Sequence, residues 1–139
     1  MLSDEEKRAL SSVRLAHAED CLREARLLLS VKQYRGACNR SYYTVFHAMR
    51  SVLALNGIDR KHHSGIISEF RRLYIKTGIF EQKWSDTIQQ QSMYRESSDY
   101  NDLFSVSGEE ASDLVKESGQ FLAVISEYLR EQSVDDQKQ

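Results

Sequence analysis

Apolar residues recur at intervals of three and four along most of the chain, the period of an α-helix with one buried face. No proline and only six glycines interrupt it. Leu15, Ala18, Leu22, Ala25 and Leu29 predict the buried stripe of a first helix. Ser3 and Glu6 mark its start, because their spacing fits a capping box in which each residue satisfies the other's free backbone N–H. The pattern breaks between Val31 and Arg35. A second helix places Cys38, Tyr42, Val45, Phe46, Met49, Val52 and Leu53 on one side and stops at Asn56-Gly57. "IDRKHHSG" reads as a loop, and a third helix carries Ile66, Ile67, Phe70, Leu73 and Tyr74 before ending near Gly78. A fourth runs from about Glu81 past Trp84 and Ile88. Ser107 and Glu110 repeat the capping-box spacing and open a last helix with Ala111, Leu114, Val115, Ser118, Phe121, Leu122, Ile125 and Leu129 on one face. Between the last two, "YRESSDYNDLFSVSGEE" is rich enough in Ser, Asp and Asn to predict an irregular connector. These elements predict an all-α fold, an up-and-down bundle of four to five helices. One domain is expected over residues 1–131, with residues 132–139 a polar tail that frays.

At 139 residues and 16.1 kDa the chain suits one such domain. No apolar run approaches the ~20 residues of a membrane span. The start, "MLSDEEKRAL", has acid where an export signal has base, so no membrane partner and a cytoplasmic location are expected. A net charge of −2 and a pI near 6.1 exclude a uniformly basic nucleic-acid binder, which confines any RNA contact to a local patch. Cys21 and Cys38 show no CxxC spacing and read as buried thiols rather than a disulfide.

The chemistry-bearing residues concentrate in "NRSYYTVFHAMR". Arg40 and His47, seven positions apart, point within about 20 degrees of one another on a helix. Tyr43, Thr44, Arg50 and Ser51 fall beside them, opposite the apolar side. The plain reading is a solvated helix face. The sharper one combines a permanent cation suited to phosphate with a side chain that exchanges protons near neutral pH, as metal-independent RNA cleavage requires. His62 and His63, with Arg60 and Lys61, form a small basic loop at a helix start, and Arg71 and Arg72 add charge nearby. No histidine pair has metal-ligand spacing, so neither metal nor cofactor is expected. His17 reads as a surface or packing residue.

"NRSYYTVFHAMRSVLALNGI", "KHHSGIISEFRRLYIKTGIF" and "YRESSDYNDLFSVSGEEASDLV", in that order, resemble the small stand-alone HEPN proteins, over about two-thirds of the chain from Tyr34 to Leu129. The resemblance implies a helical bundle that forms a homodimer. It also implies a toxin-like protein paired with a minimal nucleotidyltransferase antitoxin, with metal-independent endoribonuclease or nucleotide-binding activity. The alternative is a non-catalytic dimerisation and binding module for the same partner. The family's active motif is an arginine followed, after about four to six residues, by a histidine. Arg40 and His47 satisfy it loosely on the second helix, with Tyr43 and Arg50 as helpers. The later segment "RESSDY" matches its usual position better, Arg95 standing for the arginine and Tyr100 for the tyrosine beyond the histidine, yet no histidine lies between them. By the same resemblance Tyr100 is a candidate acceptor of AMP from the nucleotidyltransferase, against a plainer role as a half-buried anchor.

Overall fold

The computed structural model describes residues 1–138 and contains five α-helices. They are α1 (Asp4–Ser30), α2 (Tyr34–Leu55), α3 (His63–Phe70), α4 (Lys83–Tyr100) and α5 (Gly108–Lys138), and a π-helical turn, Arg71–Ile75, continues α3. No strand occurs among the described residues, so the chain is an all-helical bundle. No described helix is long and apolar enough to cross a membrane.

Both capping boxes form. Glu6 N donates to Ser3 Oγ at 3.1 Å while Ser3 N donates to Glu6 Oε1 at 3.0 Å, and Ser107 and Glu110 repeat the pair at 3.1 Å each. α2 ends at Asn56-Gly57, where Gly57 takes a φ of 68°, a left-handed value that costs a glycine nothing. α5 runs on through the polar tail to Lys138.

α2 is the hub, packing against α1, α3, α4 and α5. Its expected apolar side is buried throughout, and so are Ser41, Thr44, Ala48 and Ser51. Thr44 and Ser51 therefore do not belong to an open polar stripe. Each turns its hydroxyl onto its own helix, to the carbonyls of Arg40 (2.9 Å) and Ala48 (2.6 Å), which lets a small polar side chain sit in the core without an unpaired group. The Ser41 hydroxyl, with one proton to donate, lies 2.9 Å from both Leu114 O and Gln91 Oε1, tying α2 to α4 and α5. An aromatic cluster of Phe70, Tyr74, Phe80, Trp84 and Phe121 closes the far end of the core.

The sequence reading fails at "YRESSDY". This stretch is helical to Tyr100, and the irregular connector shrinks to the seven residues between α4 and α5, 101–107. The cause lies elsewhere in the chain. Arg35, at the start of α2, donates to Ser98 O at 2.6 Å and Asn101 O at 3.2 Å, satisfying carbonyls that a helix end leaves free and placing a cation at the negative end of its dipole. Tyr100, expected to be half-buried, is 77% exposed at that end.

This cap is testable by Arg35→Met, which keeps the aliphatic stem and deletes both bonds. We expect a loss of about 1 kcal/mol in denaturant unfolding. Amide exchange should accelerate across Ser97 to Asn101 and stay unchanged in the centre of α1.

Candidate functional site

The segments carrying candidate chemistry meet at two adjacent tyrosines of α2. Tyr42 is buried, and its hydroxyl lies 2.9 Å from Nδ1 of His63, the first residue of α3. The His63 ring stacks on Phe46 with centroids 4.1 Å apart. From α4, the Arg95 guanidinium lies 5.2 Å from the Tyr42 ring centroid and 5.8 Å from that of Tyr43, and Nη2 donates to the Tyr43 hydroxyl at 3.4 Å. Arg95 Nε is 3.1 Å from Asp99 Oδ2, but the carboxylate sits off the N–H direction, so the contact is an ion pair without a hydrogen bond.

These groups open onto a groove of about 450 Å³, lined by Tyr42, His63, Arg71, Arg72, Lys76 and Arg95, with Glu96 its one carboxylate. Arg71 is anchored through Nε to Ser85 Oγ at 3.0 Å and Arg72 through Nη2 to Glu69 Oε2 at 2.6 Å. The lining is cationic on both sides, an arrangement that attracts an anion.

Burial sets the protonation states. It pushes the Tyr42 hydroxyl up to about 12 against the opposing pull of Arg95. It lowers His63, and the charges of Arg95 and Arg50 lower it further, so the imidazole is neutral at pH 7. A neutral ring bonded through Nδ1 can present Nε2 either as a base or as a donor, according to which way the Tyr42 proton points.

Arg40 and His47 lie on the other side of Tyr43, toward α1. Arg40 stands 5.0 Å from the Tyr43 centroid and donates to Asn39 Oδ1 through Nε (3.0 Å) and Nη2 (2.7 Å). No hydrogen bond joins it to His47 among the described residues. His47 is half-buried, with Nδ1 3.5 Å from Arg50 Nη1 and its ring 5.7 Å from that of His17. Burial first, and then Arg50, His17, Arg40 and Arg14, bring it down to about 4. At neutral pH the ring is a weak base and lacks the second proton that an imidazolium gives a leaving group. Arg50 also lies over Phe46 at 5.8 Å, so the α2 stripe and the groove form one cationic and aromatic surface around Tyr43.

The sequence reading put His63 in a basic loop without linking it to "RESSDY". Spacing carried no such signal, because His63, Tyr42 and Arg95 belong to three helices. In space, His63 of α3 and Arg95 of α4 both meet Tyr42 of α2.

The HEPN domain model matches residues 11–128. A UPF0332 protein of Thermotoga maritima is 28% identical over 114 residues, 82% of this chain and 86% of the relative. Two proteins of Methanocaldococcus jannaschii, each named a "putative toxin", are similar at 30% identity (82% of this chain, 84% of the relative) and 29% (88% and 83%). With the domain matched from α1 into α5 and with relatives aligned over most of both chains, the chain belongs to the HEPN domain family.

Proposed function

We propose that this protein is a toxin-like HEPN protein, controlled as a homodimer by a minimal nucleotidyltransferase, that takes an RNA phosphodiester or a nucleotide phosphate into the groove. The observation that carries the reading is the junction at Tyr42, with His63 Nδ1 2.9 Å from its hydroxyl and the Arg95 guanidinium 5.2 Å from its ring centroid. A proton-transfer group and a cation suited to phosphate thus stand on two sides of one buried ring.

In RNA cleavage His63 would take the proton of a ribose 2′-OH. The 2′ oxygen attacks phosphorus as the bond to the 5′ oxygen breaks, and the departing oxygen takes a proton from water. Arg95 would offset the negative charge that builds on the phosphoryl oxygens. Arg71, Arg72 and Lys76 would hold neighbouring phosphates, while Arg40 and Arg50 extend the positive field past Tyr43. Exposure of Tyr100 supports its role as an AMP acceptor, since its hydroxyl is open to a second enzyme. Met93 and Leu103, exposed at 52% and 95%, supply apolar surface for a second copy.

Purified protein incubated with single-stranded RNA tests the assignment. His63→Gln and Arg95→Gln should each slow cleavage about a hundredfold or more, within the range for loss of an acid-base or charge-stabilising group. Arg40→Ala and His47→Ala should each cost less than about tenfold. The opposite ranking would move the centre to α2, and RNA bound without cleavage would identify a binding module.

The pH profile separates the two histidines independently. A base works only when unprotonated, so the rate should rise with pH and level off above the folded-state pKa of the base. For His63 the rise should sit below 6.5, and for His47 it would fall near 4.

A further inference from the structure

Beside the groove, a cluster between α1, α2 and the loop 56–62 holds more positive charge than its one acid neutralises. Arg14 is a charged residue in the core, its side chain only 5% exposed. Its Nη2 lies 3.1 Å from Asp59 Oδ1, and its Nη1 donates to Arg50 O at 3.3 Å. Arg50 Nη2 stands 3.7 Å from the same Asp59 oxygen, while Nη1 faces His47. His17 completes the group against the His47 ring. Two guanidiniums thus share one carboxylate, with two imidazoles beside them. That carboxylate comes from a loop, and its side chain is 64% exposed.

The geometry favours an anion with more oxygens than Asp59 offers. One oxygen, Oδ1, serves both arginines, so Asp59 meets each guanidinium fork at a single nitrogen. A phosphate has three or four oxygens and more negative charge, so it can meet both forks at once and still accept from an imidazole N–H. Buried Arg14 favours an anion here, because a guanidinium out of water needs a counter-charge at all times. Asp59 meets that need from within the chain, and it sits where it can swing out into solvent.

We propose that Arg14, His17, His47 and Arg50 form a phosphate-binding site that Asp59 occupies as an internal stand-in. A phosphate entering the site displaces Asp59 and releases the loop that leads directly into His63. The site thereby regulates the groove, a consequence that rests on the groove reading, whereas phosphate binding itself does not.

The test follows the histidine ring resonances by NMR at pH 7 and constant ionic strength while inorganic phosphate is added to wild type, Asp59→Asn and Asp59→Asn/Arg50→Gln. Asp59→Asn should bind phosphate at least tenfold more tightly than wild type, with His47 and His17 shifting, and the second substitution should abolish the gain. Binding by Asp59→Asn no tighter than wild type, or tightening that survives Arg50→Gln, overturns the proposal. So does movement confined to His63, which reports the groove alone. A short oligoribonucleotide that shifts His47 in the same way would make RNA the source of the phosphate, and a shift with inorganic phosphate only would make it free phosphate. Thermal melting gives a readout that survives a poorly folded variant. Phosphate should raise the melting temperature of Asp59→Asn more than that of wild type, and equal rises refute the displacement.

Discussion

A buried phenol hydroxyl must find a partner, and much of the candidate site follows from the one that Tyr42 finds. With 1% of its surface exposed, Tyr42 cannot leave its hydroxyl to water. His63 supplies the partner at 2.9 Å, and that bond fixes the first turn of α3 over Phe46. The flat face of the same ring is open to a cation, and Arg95 of α4 stands there. A requirement of core packing thus brings an imidazole and a guanidinium to one place without any sequence motif joining them.

Electrostatics then separates the two histidines that the α2 stripe and the basic loop provide. Both lose basicity through burial, but His47 also faces Arg50, His17, Arg40 and Arg14, and it falls to about 4. His63 faces only Arg95 and Arg50 and opens onto the groove. A base with a pKa nearer neutrality abstracts protons more effectively at pH 7, so the same positive field that makes the surface attractive to phosphate weakens His47 more than His63.

The helices were legible wherever a local rule governs them. Ser3–Glu6 and Ser107–Glu110 form the capping boxes that their spacing foretells, and the predicted apolar faces of α1, α2 and α5 pack into the core, with Leu15, Leu29 and Leu129 half-buried at its edge. Illegible features all depend on a distant partner. "RESSDY" looked like a connector because Ser, Asp and Asn compete for backbone bonds, yet Arg35, some sixty residues earlier, satisfies the end of the helix. Arg14 is buried in α1 with its charge met by Asp59 and the Arg50 carbonyl, 45 and 36 positions away, a pairing that no period of α1 encodes. His63 was visible as a charge in a loop, but its bond to Tyr42 spans 21 positions and no helical period encodes it.

The π-helical turn after α3 shows how the backbone shapes the groove. Lys76 N donates to Arg71 O at 2.9 Å, a five-residue step that inserts one residue beyond the α-helical repeat. Each residue after such an insertion is turned about 100 degrees from where an unbroken helix would place it. Tyr74 and Ile75 still reach the core, while Arg71, Arg72 and Lys76 all line the groove. A regular helix would have to divide these side chains between core and groove by a strict 3.6-residue period, which Arg71 and Arg72, followed at once by a buried pair two positions on, do not fit. The local irregularity therefore reconciles two demands on a five-residue stretch, closing the aromatic end of the core and presenting cations to the His63 face.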